Sequence, residues 1–339
     1  MKKIKSFIIA LMVFAVVGCS NNSSNVVETA PIETPSDTVV VTDQMGREVS
    51  FDKEPMKVVT THYMTTTTVI ALDAKDKLVG IEAKADKRKI FKLAAPELIE
   101  LPNVGSLKEF NLEACLELKP DLVILNIKQK DYIEQLEGAG VKVLITNPES
   151  KDDLFGMIEM LGKVLNKNDR ATSLINFMND VSSEITDKIK DQEKVLTYFG
   201  GNSSFLSTAG PKMFQSSLLD AANATNVASN IEDTYWAEVS FEDIASYNPE
   251  AIILAADAAY DIDSVLNESS ISAVNAITNQ KVYKLPNDFE SWDSPIPSSI
   301  LAEVFIAKSL YPDLISDEYY KTTVKNFYSE FYGFEADVK

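Results

Sequence analysis

One pattern occurs twice in this chain, and the duplication restricts the fold more than any other feature. NLEACLELKPDLVIL runs from Asn111 to Leu125 and SFEDIASYNPEAIIL from Ser240 to Leu254, at a constant offset of 129 residues. Glu113 aligns with Glu242 and Pro120 with Pro249. In each copy a polar residue, Asn111 or Ser240, is suited to cap a short helix, and a Glu follows in the first turn, where the helix dipole favours an anion. The proline then ends the helix, because the residue before it is pushed out of the α region. The apolar tails are dense enough for strands buried on both faces. Solenoid repeats recur every ~20–50 residues, so an offset this long predicts two similar α/β lobes instead.

The remainder alternates in the same way. VVVTDQMGREVSF (39–51) reads as a β-hairpin turning at Gly46, and KVVTTH (57–62) as a strand leading into a loop and helix. KLVGIEA (77–83) and VKVLIT (141–146) are further strands, with a helix from Asp131 to a glycine stop between them. From 150 to about 192 no strand intervenes: a helix with acidic residues in its first turn is followed by a long amphipathic one. Strands and helices resume with KVLTYFGG (194–201), a helix over 211–228, the second repeat, a strand ending at Pro286, and two closing helices. Strand–helix alternation of this kind predicts parallel sheets.

The N-terminus predicts export. Lys2, Lys3 and Lys5 precede the apolar run Phe7 to Val17, which is too short to span a bilayer comfortably. The run ends in VVGC, similar to a bacterial lipobox, which implies cleavage before Cys19 and lipidation of its sulfur. The stretch after it, rich in Ser, Asn, Pro and Thr, suits a tether. Without the three lysines, 29 basic residues stand against 51 acidic ones, a net charge of −22. That excludes nucleic acid as a partner, since a phosphate backbone needs a basic surface. Cys115, aligned with Ile244 in the repeat, reads as a small buried apolar residue.

Lipobox, tether, TDQMGREVSF hairpin, KVVTTH strand, VGSLKEFNLEACLELKPDLVI, a long connecting helix and EVSFEDIASYNPEAIIL occur in this order. Together they resemble the substrate-binding lipoproteins of ABC importers for iron–siderophore, haem, cobalamin and related metal chelates. The resemblance implies an α/β fold of two Rossmann-like lobes joined by one long rigid helix, with a ligand cleft between them. The boundaries expected are a signal peptide at 1–19, a tether at 20–38, an N-terminal lobe at 39–165, the connecting helix at 166–192 and a C-terminal lobe at 193–339. It also implies that Glu113 and Glu242 dock with arginines of a permease dimer, where carboxylate–Arg pairing is strong and directional. The alternative for each is a helix-start Glu that only complements the dipole. The expected protein is a lipid-anchored monomer on the extracytoplasmic face of the cell membrane. It is a carrier of a ferric chelate or corrinoid, with no cofactor of its own.

Ligands of open α/β sheets bind beyond the carboxyl ends of strands. Applied here, that rule selects His62, Tyr63, Met64, Thr65, Arg88 and Lys128 from the first lobe. From the second it selects Asn202, Tyr235, Trp236, Tyr260, Glu290 and Trp292. First-lobe loops are basic and hydroxyl-rich, and second-lobe loops aromatic and acidic, a combination suited to a flat or bulky chelate with acidic groups. His62, the only histidine, is either bonded at a strand end or an axial metal ligand. Trp292 either covers ligand or packs beneath its loop. No bare metal cage is indicated, because converging His, Cys and carboxylates are lacking. Nor does the chain contain G-x-S-x-G, a P-loop, G-x-G-x-x-G or H-E-x-x-H, which argues against an enzyme such as a chelatase. Iron–siderophore is the first expectation, with haem, cobalamin and an oxyanion such as molybdate as alternatives.

Overall fold

Each copy of the repeat folds as helix, turn and strand. In this computed structural model, which describes residues 38–231 and 235–338, the first copy forms α3 (Leu112–Glu117) and β5 (Leu122–Asn126). The second forms α8 (Phe241–Tyr247) and β11 (Ala251–Leu254). Asn111 and Ser240 cap their helices as expected, accepting from the backbone N–H of Ala114 and Asp243. The residues before the prolines, Lys119 and Asn248, leave the right-handed α region as expected but are left-handed, with φ of 51° and 45°. A left-handed residue just past a helix reverses the chain sharply, and both copies use it to drop directly into the strand. The signal peptide, the tether up to residue 37 and Cys19 lie outside the described residues.

The hairpin is formed by β1 (Val39–Thr42) and β2 (Glu48–Phe51), with Gly46 at φ 82° in its turn. The first lobe holds β3 (Val58–Thr60), α1 (Tyr63–Ala71), β4 (Leu78–Gly80), α2 (Lys89–Ala94), α4 (Ile133–Gly138) and β6 (Lys142–Thr146) around the first repeat. Its sheet is parallel throughout, in the order β4-β3-β5-β6. Then come α5 (Lys151–Val164), capped by Ser150, and α6 (Asn168–Ile189), the longest helix described.

The second lobe contains β7 (Val195–Gly200), β8 (Ser207–Ala209), α7 (Phe214–Ala221), β9 (Ala224–Asn226) and β10 (Trp236–Glu238) before the second repeat. After it come α9 (Ile262–Leu266), α10 (Asn275–Thr278), β12 (Val282–Lys284), α11 (Ile300–Leu310) and α12 (Asp317–Tyr332). Here β11 lies between β7 and β12, all parallel, as β5 lies between β3 and β6. Two features differ from expectation. The helix over 211–228 stops at Ala221, because Asn223 turns left-handed (φ 54°) and the chain enters β9. Strands β8 and β10 pair antiparallel at the sheet edge, so this sheet is mixed. Both are three residues long and lack apolar alternation, which left them without a periodic signal.

Polar contacts tie the elements across the molecule. Lys151 of α5 and Ser182 of α6 both reach Glu303 of α11, at 2.9 and 2.7 Å. The Tyr332 hydroxyl of α12 lies 3.0 Å from Oγ1 of Thr67 in α1. No described helix is long and apolar enough to cross a membrane.

Candidate functional site

The carboxyl ends of the parallel strands in both lobes open onto one cleft of about 660 Å³. His62, Tyr63 and Met64 enter it from the end of β3 and the start of α1, and Asn126 to Lys128 from the end of β5. Asn147 to Glu149 follow β6. The second lobe contributes Asn202, Met213 to Gln215, Tyr235, Trp236, Ser294 and Pro295. Tyr235 is 49% exposed and Trp236 39%, high values for aromatics, and together they form an open aromatic wall.

Trp236 owes its position to a glycine. A Cβ on Gly201 would lie 2.7 Å from the indole ring and 2.8 Å from the Ser207 carbonyl, so any side chain there would collide. Tyr260 completes this support. Its hydroxyl donates to the Gly201 carbonyl at 2.7 Å. Tyr260 was expected to touch ligand; it lines neither interlobe cavity and instead holds the loop behind Trp236.

His62 caps α1 without a side-chain bond to its backbone, and its ring lies 4.7 Å from that of Tyr63. Burial, reinforced by the charges of Arg88 and Lys128, lowers its pKa to about 4. The imidazole is therefore neutral at physiological pH, with a ring nitrogen free of charge competition. Burial raises the neighbouring Tyr63 phenol to about 12, so it remains a donor, and it bonds Ser294 Oγ across the cleft at 2.8 Å. Glu149 is pushed upward by burial. The cleft is thus aromatic and amide-rich, with Lys128 and Glu149 as its charged side chains.

Other expected contacts lie elsewhere. The helix begins at Tyr63 with no intervening loop, so Thr65 is 1% exposed and its hydroxyl pairs with Thr146 at 3.1 Å. Successive residues of a helix point ~100° apart, so a run of four threonines cannot all face one cleft. Thr66 bonds Glu82 at 2.5 Å, Thr67 bonds Glu290 at 2.5 Å, and Thr68 bonds the Met64 carbonyl at 2.7 Å. Trp292 is not a cleft residue. It is 1% exposed, and its Nε1 donates to the Tyr328 hydroxyl at 2.8 Å; packing beneath the loop prevails. Arg88 and Glu290 line a second, smaller cavity on the other border of Tyr63. Glu290 there accepts from Thr67 and Ser298, leaving little of its carboxylate for a ligand. Asn147 follows a predicted strand, so the strand-end rule reaches it too; nothing in the sequence marked Met213 to Gln215.

Glu113 and Glu242 stand exposed in the first turns of α3 and α8. Neither carboxylate has an ion-pair partner among the described residues.

Comparison with known proteins places this geometry. The chain is 27% identical to the molybdate-binding protein MolA of Haemophilus influenzae over 86% of its own length and 90% of that protein. It is 28% identical to the ABC transporter substrate-binding lipoprotein YvrC of Bacillus subtilis, covering 94% of this chain and 100% of YvrC. To the petrobactin-binding protein YclQ of Bacillus subtilis it is 23% identical, over 86% and 93% of the two chains. The solved structure of MolA bound to molybdate superposes with a TM-score of 0.76 over 88% of this chain and 99% of MolA, at 24% identity, which establishes the shared two-lobed fold. The sequence profile of periplasmic binding proteins matches residues 58–289, and the chain belongs to that family.

Proposed function

We propose that this protein captures a bulky metal chelate of the ferric siderophore class at the cell surface and delivers it to an ABC permease dimer. The cleft itself carries the reading: about 660 Å³, lined by Tyr63, Tyr235 and Trp236 with a neutral imidazole beside them. That volume lies in the range of sites for drug-sized ligands, ~300–1,000 Å³, and aromatic faces suit flat or bulky apolar surfaces. Kinship with YclQ supports the same class. Lipidation at Cys19 would hold the carrier at the membrane, and Glu113 and Glu242 would meet arginines of the permease, one from each lobe. Binding without chemistry is the proposed role: the cleft residues supply contact and orientation, and among the described residues no nucleophile–base pair is assembled there.

A second reading, a tetrahedral oxyanion, draws on kinship with MolA. A bare oxyanion would fill only a small part of the cleft. The experiment is a fluorescence titration with ferric siderophores, haem, cobalamin and molybdate. Only Trp236 and Trp292 fluoresce as tryptophans, and only Trp236 borders the cleft. A ferric siderophore should quench Trp236 saturably, with the quenching lost in Trp236→Phe. Saturable binding of molybdate alone would favour the second reading.

A further inference from the structure

The space between the lobes is divided at Tyr63, whose ring borders both the large cleft and a second cavity of about 290 Å³. The Arg88 guanidinium lies over that ring, 3.9 Å from its centroid. Lys84, Lys87, Arg88 and Lys89 gather in this small space, in a chain with 51 acidic residues and only 32 basic ones.

Their neutralisation is incomplete. Lys87 pairs with Asp86, but among the described residues Lys84 makes no ion pair, and Lys89 faces the Phe289 ring at 5.1 Å without an ion pair. Arg88 Nε forms an ion pair with Glu82 Oε1 at 3.6 Å, beyond hydrogen-bond reach, and both buried atoms lack a hydrogen-bond partner among the described residues. A buried charged donor left without a hydrogen bond costs free energy unless something binds it. Glu290 feels the Arg88 charge, but burial opposes its ionisation, its oxygens accept from Thr67 and Ser298, and it makes no ion pair among the described residues. Asp257, the other acid lining the cavity, accepts from Ser291 and Asn287.

We propose that this second cavity is a separate anion site, taking a small polyvalent oxyanion or a polycarboxylate group held by Lys84, Arg88 and Lys89. Arg88 offers a planar fork of donors, and the two lysines add mobile point charges. The cavity is too small for a whole chelate. Its occupant is either a free anion or an acidic arm of a ligand seated beyond Tyr63. The site stands whether or not the large cleft takes a chelate.

The test is calorimetry of the full chain with molybdate, citrate and ferric citrate, at low and raised salt. Wild type is compared with Lys84→Gln/Lys89→Gln and with Trp236→Ala. Both lysines are exposed, so the double variant should fold. A free-anion site predicts salt-sensitive binding of molybdate or citrate, weakened about tenfold or more in the lysine variant and unchanged in Trp236→Ala. An arm site predicts that ferric citrate alone binds and is weakened to the same extent by the lysine variant. The proposal is overturned if none of the three binds, if the lysine variant matches wild type, or if only Trp236→Ala abolishes anion binding.

Discussion

The Tyr63 hydroxyl in the first lobe donates to Ser294 Oγ in the second at 2.8 Å, over a separation of 231 residues in the chain. The bond links α1, at the residue bordering both cavities, to the loop before α11. Since burial raises the phenol to about 12, Tyr63 keeps its proton throughout the physiological range. Tyr63→Phe removes the donor and should lower stability by about 1 kcal/mol, read as a lower urea midpoint with unchanged slope. An unchanged midpoint would mean that the link contributes nothing in solution.

His62 is the sole histidine, so its ring protons give one titration curve by NMR. The midpoint should fall near pH 4, against 6.5 for an unfolded chain. Between those values the unfolded state binds more protons than the folded one, so this group's contribution to stability is complete above pH 6.5 and declines as pH falls. The full loss is about 3 kcal/mol. Asp293, raised by burial to about 6 from 3.8, acts in the opposite direction over its own window. Comparing wild type with His62→Gln isolates the histidine. A midpoint near 6.5 would show an imidazole far more solvated than this geometry allows.

The two tryptophans should behave as opposites. Trp292→Ala empties a buried site and leaves the Tyr328 hydroxyl without its donor, costing about 3–5 kcal/mol. Thermal unfolding followed by circular dichroism measures it. Trp236→Ala should change stability little and ligand affinity strongly. Equal stability losses in both variants would contradict the assignment of Trp236 to the cleft wall.

Gly201→Ala is the subtler probe of that wall. The added methyl would meet the Trp236 ring at 2.7 Å and the Ser207 carbonyl at 2.8 Å, so the indole or the strand must shift. Ligand affinity should drop about tenfold, equivalent to 1.4 kcal/mol, with near-native circular dichroism. Unaltered affinity would show that the indole orientation is irrelevant to binding.

Glu113→Lys with Glu242→Lys addresses delivery. Both residues are exposed and away from the cleft lining. Ligand affinity should stay within twofold while uptake through a reconstituted importer is lost, because like charges across an interface oppose association. Uptake at the wild-type rate would remove the docking role.

The duplicated helix–strand unit was legible because buried parallel strands and capped helices carry strong local patterns. The strand-end rule reached His62, Tyr63, Met64, Lys128 and Asn202 for the same reason: they directly follow or adjoin recognisable strands. Trp292, Thr65 and Tyr260 show where that reasoning stops. Their sequence neighbours place them at strand ends, but their partners, Tyr328, Thr146 and the Gly201 carbonyl, come from tertiary packing. The antiparallel pair β8 and β10 was hidden too, since three-residue strands lack a measurable period. Trp236 lies on that pair, so the edge that local patterning missed also sets the aromatic wall.

Native mass spectrometry of the protein with a panel of ferric siderophores tests the capture of a chelate in the large cleft most directly. One chelate should bind per chain, retaining its iron, and the complex should be lost when Trp236→Ala is combined with Lys128→Gln. Absence of any one-to-one complex across the panel, or equal retention by the double variant, would contradict it.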